Sequence, residues 1–430
     1  MAISTETADA ETETESPVES RKAASWPVRY LREQSVHVAV ILLLAAYPGI
    51  YSVLLSSSMG AEMAAVLPRV QTMVAVLYFG LFAMSFDFVS GYTGYLSFGH
   101  AAFYGTGAYF VILASNGKVP LLGPNTSFVF LLVLAGLLAV VLAVLIGALS
   151  FRLTGVYFAM ITLGFAQVMY VFIRNWDYAA SNPTDGPAVL TRTDPFSIGV
   201  PGVDSLNLAI GQLAGDSVEG LLGVLSFSTT EVSYYMVGLV VLVCYFAMQR
   251  IVHSPFGRVL IAIRENEERA EAVGYNTFWY KLGAFAVSAF FAAVAGGLYA
   301  GFQRSVSPEN TFYFLVTGDA LLASIIGGFG TLAGPLYGLL FDETITEFLS
   351  KRGEGGGLLP YLRENLGEVT MSTEIFNGVT VGEGIDTFLN GHAELYVGVV
   401  FVLFVLFVPN GLLGTVRNRL GGPVGEQVAE

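Results

Sequence analysis

Two carboxylates, one histidine and two runs of glycine are the residues of this chain whose type and placement invite a chemical role. Asp87 and Asp319 both adjoin long apolar stretches that carry no other charge. A carboxylate at membrane depth is expensive to bury, so it is a candidate for binding or proton transfer. Asp87 sits at one expected membrane edge and Asp319 near the other, within reach of water, so a structural role is expected for each. His100 has no second His or Cys at metal-ligand spacing, which makes it a satisfied structural residue rather than a ligand. The lone Cys244 excludes an internal disulfide. No nucleophile-and-base set is visible, and there is no G-x-x-x-x-G-K-[ST] loop, so no metal, catalytic residue or directly bound cofactor is expected.

The glycines are more specific. Ser90 to Gly107 reads S-G-Y-T-G-Y-L-S-F-G-H-A-A-F-Y-G-T-G, and a second cluster holds Gly327, Gly328, Gly330, Gly334 and Pro335. Breakers at membrane depth are tolerated where backbone faces protein or a water-filled path. Gly91, Gly94, Ser97, Gly99, His100, Gly327, Gly328 and Gly330 are therefore candidates for a translocation path. The competing reading is close helix packing through small residues.

The elements that must position these residues are transmembrane helices. Of 430 residues, 54% are hydrophobic and 13% charged, with a mean hydropathy of +0.64. That is more apolar surface than a soluble core can hide. No charged residue occurs between Glu33 and Glu62, Asp87 and Lys118, Arg152 and Arg174, Glu231 and Arg250, Lys281 and Arg304, or Asp319 and Asp342. Each gap is long enough for a helix of roughly 20 residues to cross a bilayer. Val70 to Phe86, Ser127 to Leu149 and Leu395 to Val416 add further spans, and strand alternation is missing. The expected fold is all-α and polytopic: eight spans plus a re-entrant hairpin over 311–349, or ten spans if that hairpin crosses fully. Trp26, Trp176 and Trp279 fall at expected membrane interfaces.

Charge sets the expected sides. The formal net charge of −14 gives nucleic acid no purchase, and acidic surfaces of this kind serve solubility or suit a salt-adapted organism. Residues 1–35 form an acidic tail too polar to fold and unlike a signal peptide; 36–416 form the transmembrane domain. Placing both termini in the cytoplasm puts Arg21, Lys22, Arg29, Arg32, Arg152, Arg250, Arg258, Arg264, Arg269, Lys281, Arg417 and Arg419 on that side. The loop 176–230, with room for a short helix, and an acidic insertion over 342–393 are then external. Residues 253–281 form a cytoplasmic loop, and 417–430 a cytoplasmic tail.

That basic loop contains a helical pattern from Val259 to Val273. Leu260, Ile263, Ala270 and Val273 share a face, Arg264, Glu267, Glu268 and Glu271 pair at i,i+3 and i,i+4, and Gly274 supplies a stop. Its acids make it a poor ligand for anionic lipid, so a protein partner is expected. Glu268 to Gly274 resembles the E-A-A-x-x-x-G coupling motif of ABC importer permeases, matching at Glu268, Ala270 and Gly274 and departing at Arg269. The surrounding F-G-R-V-L-I-A-I-R-E-N-E-E-R-A-E-A-V-G-Y-N is similar to the permeases of branched-chain amino-acid importers. So are the Ser90–Gly107 segment, G-V-Y-F-A-M-I-T-L-G-F-A-Q, I-G-G-F-G-T-L-A-G-P-L-Y-G and the terminal V-P-N-G-L-L-G. The blocks run in the order of the second, M-type permease of such a pair. Asp87 stands where the family more usually has Asn, and the insertion after Asp342 is longer than typical.

The resemblance implies a plasma-membrane permease subunit that moves leucine, isoleucine or valine inward. Its implied partners are a homologous permease, two cytoplasmic ABC ATPases that hydrolyse the ATP, an extracellular substrate-binding protein and membrane lipid. Arg264, Glu267, Glu268, Ala270, Glu271 and Gly274 would couple it to the ATPase. Urea or short amides are alternative cargoes. A secondary amino-acid transporter fits less well, since it should keep coupling acids deep in its bundle.

Overall fold

The computed structural model describes residues 35–56, 67–120, 122, 126–179, 189–190, 218–221, 225–227, 229–350, 370–376, 379–383, 385, 393–408 and 411–420. The expected 1–35 tail, most of loop 176–230, most of 342–393 and the end of the C-terminal tail lie outside these residues, as does Trp26. In chain order the helices are α1 (Ser35–Ser56), α2 (Val70–Thr93), α3 (His100–Ser115), α4 (Phe128–Ser150), α5 (Val156–Arg174) and α6 (Thr229–Val252). There follow α7 (Pro255–Glu265), α8 (Glu267–Ala272), α9 (Thr277–Gln303), α10 (Pro308–Thr311), α11 (Phe314–Gly327), α12 (Gly334–Ser350), α13 (Ala393–Phe407) and α14 (Gly411–Leu420).

Ten of these run along one bundle: α1 to α6, α9, α11, α12 and α13. Among the described residues, seven segments have the length and composition to cross a bilayer; α1 has a shorter apolar stretch, Val40–Leu54, and α3 and α12 have 16 and 17 residues. α9 lies at the centre against α2, α3 and α4, and α2 also packs on α6, α11 and α12. Both central helices are buried along most of their length. Aromatic rings fill the middle: Phe82 on Tyr104 at 4.7 Å, Phe103 on Phe285 at 5.1 Å and Phe151 stacked on Phe158 at 4.7 Å between centroids. The outer faces of α4, α5, α6 and α13 expose Leu137, Leu145, Met160, Val168, Leu239, Val243, Leu403 and Phe407. Apolar side chains outside as well as inside are the pattern of a bundle solvated by lipid.

Residues 311–349 form two helices that run the length of the bundle beside α2. α11 and α12 form a hairpin whose turn, at Gly330, touches the C-terminal part of α2. The far end of α12 returns to the N-terminus of α2, where the Glu347 carboxylate accepts from the Arg69 N–H at 3.0 and 3.1 Å. A carboxylate at a helix N-terminus meets an unpaired N–H and the positive end of the helix dipole. This also corrects the expected start of the acidic insertion at 342. Asp342, Glu343 and Glu347 belong to α12, which continues to Ser350 because Phe341, Ile345 and Phe348 keep an apolar helical spacing between them.

Ser90–Gly107 is a break between two helices: α2 ends at Thr93, a short connection follows, and α3 starts at His100 and continues across the bundle. One other expectation changes. Where the 176–230 loop is described it holds short strands rather than a helix. β1 (Val189–Leu190) pairs antiparallel with β4 (Ser305–Val306), and β2 (Val218–Leu221) with β3 (Leu225–Phe227). A third pair, β5 (Glu374–Phe376) with β6 (Val379–Thr380), lies within the acidic insertion.

Candidate functional site: the loop between α6 and α9

The loop expected to be one helix from Val259 to Val273 is two. Ser254 caps α7, its hydroxyl accepting from the Gly257 N–H at 3.4 Å, and Pro255 occupies the first turn. The helix breaks at Asn266, whose backbone is extended (φ −164°, ψ 104°) and whose side chain accepts from the Arg269 N–H at 2.8 Å. Asn followed by two acids is a helix start, and that signal overrides the apolar spacing on either side of it. Gly274 ends the unit as expected, with φ +104° and its N–H donating to Glu271 O at 2.8 Å.

α7 and α8 close on each other through Val259, Ile263 and Ala270, with Tyr280 of α9 packed beside them. Ala270 is thus buried and small by necessity. Glu267 turns inward too. Its carboxylate takes the Tyr95 hydroxyl at 2.6 Å, the Thr277 hydroxyl at 3.0 Å and the Lys281 ammonium in an ion pair. Lys281 is buried, with its Nζ 4.6 Å from the Tyr95 ring centroid and 3.1 Å from that hydroxyl. Burial alone would raise the Glu267 carboxyl. The hydrogen bonds from Lys281, Tyr95 and Thr277, with the Lys281 charge, outweigh burial and hold it below the ordinary carboxylate range. Glu271 Oε1 lies 2.6 Å from the Thr277 hydroxyl. Arg264 also points into the bundle, its Nη1 donating to Gly91 O at 2.8 Å.

Of the residues expected to face an ATPase, Glu267 and Ala270 therefore turn inward, and Arg264 bonds the bundle through Nη1 while its Nη2 stays exposed beside Glu265 at 3.3 Å. Glu268, Arg269, Glu271, Val273 and Gly274 are exposed, Val273 at 75%. The result is a small rigid knob, fastened on its inner side and free on its outer side. Tyr95, Thr277 and Lys281 belong to the fastening and no local pattern marks them, since Tyr95 is 172 residues from Glu267.

The path candidates occupy tight contacts within the chain. A Cβ on Gly91 would stand 2.7 Å from both Asp87 Oδ1 and Gly330 Cα, which is why only glycine lets the hairpin turn approach. Both Asp87 oxygens accept from the Gly330 N–H, at 3.0 and 3.2 Å, so this buried carboxylate joins α2 to the α11–α12 turn. Gly99 lies against the Thr162 carbonyl, and Gly327 against Gly334. Gly328 (φ +128°) and Gly330 (φ +79°) shape the turn, and Gly94 (φ +77°) ends α2. Ser97 Oγ accepts from the Gly99 N–H at 3.2 Å. His100 is buried among Phe86, Phe103 and Phe285, its Nε2 2.6 Å from Ser288 Oγ. Asp319 is exposed on α11. Among the described residues no group of three or more His, Cys, Asp or Glu could hold a metal ion.

The family described as "Branched-chain amino acid transport system / permease component" matches residues 69–350, more than half of the chain. The chain is 30% identical over 255 residues to the high-affinity branched-chain amino acid transport system permease protein LivM of Salmonella typhimurium strain LT2, covering 58% of this chain and 56% of that protein. To LivM of Escherichia coli strain K12 it is 27% identical over 353 residues, covering 81% and 71%. To the high-affinity branched-chain amino acid transport system permease protein LivH of Salmonella typhimurium strain LT2 it is 23% identical over 351 residues, covering 78% and 91%. The chain thus spans little more than half the length of one of the curated relatives it matches. No solved structure matches it. With its multi-pass apolar bundle and a family match that begins at the N-terminus of α2 and ends with α12, this chain belongs to the permease components of branched-chain amino-acid transport systems.

Proposed function

We propose that the chain is the M-type permease of an ATP-driven importer that carries leucine, isoleucine and valine into the cell. It pairs with a homologous permease, receives substrate from an extracellular binding protein and is driven by two cytoplasmic ABC ATPases. The α7–α8 knob carries this reading: its inner side is bonded to α2 and α9, while Glu268, Arg269 and Val273 stand free for a protein partner. The similarity to LivM and LivH, permease proteins of high-affinity branched-chain amino acid transport systems, supports the cargo. This reading places the knob in the cytoplasm and the α11–α12 open end outside. The translocation path, flanked by Gly91 to His100 and Gly327 to Gly330, completes itself on assembly with the second permease.

The test is uptake of radiolabelled substrate into membrane vesicles, together with co-purification of the ATPases. Leucine, isoleucine and valine should be accumulated in an ATP-dependent way, and urea and acetamide should not. Glu268→Lys and Gly274→Val should lower ATPase association and uptake together while the chain still inserts. Wild-type association and uptake in both variants would remove the docking assignment.

A further inference from the structure

Arg264 lies in the last turn of α7, on the loop assigned above to the ATPase; its Nη2 stays at the surface beside Glu265 at 3.3 Å, while its stem and Nη1 turn toward the bundle. Its stem lies across Gly94, where a Cβ would stand 3.2 Å from Arg264 Cγ. Its Nη1 reaches Gly91 O at 2.8 Å, and a Cβ on Gly330 would stand 3.2 Å from the same nitrogen. Three elements meet at this one side chain. Gly91 O belongs to the last turn of α2, where carbonyls have no helical partner and the helix dipole favours a cation. Gly330 is the turn of the α11–α12 hairpin, and its N–H is held by Asp87 of α2.

We infer that Arg264 is the positioning residue through which movement of the coupling loop reaches the pore-forming helices, by way of the α2 C-terminus and the α11–α12 turn. The inference rests on the importer reading. The Glu267–Lys281 ion pair ties the same loop to the start of α9, so the loop can stay docked and folded when Arg264 is lost. What disappears is the hydrogen bond to the α2 C-terminus and the contact with the hairpin turn, while α7 still packs on α2. Coupling between sites travels through contiguous contacts with more than one discrete arrangement, and a forked donor that can exchange carbonyls at a helix end is such a contact.

The experiment uses the full chain purified with its ATPases and reconstituted in liposomes, reading leucine transported per ATP hydrolysed. Whether the wild-type chain carries an ATPase is established first, and its absence removes the importer reading and this inference together. Arg264→Gln should keep wild-type ATPase association and lose transport per ATP on the order of tenfold, the equivalent of one charge-assisted hydrogen bond. Arg264→Lys, which keeps the charge and one donor but not the fork, should fall between. An unchanged transport-to-ATP ratio in both variants overturns the inference and leaves the importer reading intact. Loss of ATPase association in proportion to uptake also overturns it, because Arg264 would then face the ATPase.

Discussion

At the scale of single residues, buried charges in this protein are used as fasteners. Asp87 serves the Gly330 N–H, so what matters is its acceptor oxygen more than its charge. Asp87→Asn should therefore leave the thermal midpoint in detergent near wild type. Asp87→Ala, which orphans a buried N–H and opens a small void, should cost about 1–3 kcal/mol; equal midpoints for the two variants would argue against the fastening role. Glu267 gives a pH signature. Its folded carboxyl titrates below the unfolded value of about 4.3. The stability it contributes is then fully present above that value and lost as pH falls through the folded one. Unfolding midpoints should hold level from pH 7 to about 4.5 and then decline, and Glu267→Gln should blunt the decline. Lys281→Met should cost about 2 kcal/mol, less than the full penalty for a broken interior pair because Glu267 keeps contact with water.

Elements carry the next level of constraint. The break at Asn266 turns what would be one rod into a folded knob whose two short helices share a buried contact at Val259, Ile263 and Ala270. Asn266→Ala removes the cap of α8 and should cost about 1 kcal/mol, seen as faster limited proteolysis within 267–275 while the rest of the chain stays resistant. The α11–α12 hairpin depends on close backbone approach: a Cβ on Gly338 would collide with the Ala323 carbonyl. Gly338→Leu should prevent the two helices from closing and sharply reduce the yield of monodisperse protein after detergent extraction, with an overpacking cost of about 1–3 kcal/mol or more. Normal yield and stability would mean that the hairpin packs otherwise.

For the whole molecule, the decisive property is sidedness. α2 runs from the Glu347 end to the Arg264 end, and α3, α5 and α9 run the other way. One observation of side thus orients the bundle. In a Cys244→Ser background, cysteine introduced at Asp177 should be labelled by an impermeant thiol reagent added to intact cells. Cysteine introduced at Ala272 should react only after permeabilisation. The reverse pattern would invert the bundle and move the α7–α8 knob out of reach of a cytoplasmic ATPase.

Sequence by itself determined the class, the helical spans and the family, because long charge-free runs, a 3.6-residue apolar spacing and a terminating glycine are local signals written in neighbouring residues. The Gly274 stop was legible for that reason, with its positive φ. The helix start at Asn266 was missed, because the apolar spacing that runs through it hides the Asn before two acids. Only the tertiary structure decided which way the loop's charges face. Arg264 and Glu267 read as surface partners on a helical wheel, yet their partners lie 173 and 172 residues away, at Gly91 and Tyr95. Likewise, Asp87 is spent on a turn 243 residues distant, and the hairpin runs the length of the bundle because that turn docks there. A side chain's pattern tells where its helix begins and which face is apolar. Whether a charge on the boundary of that face goes to water or to a buried carbonyl depends on what other helices bring within about 3 Å.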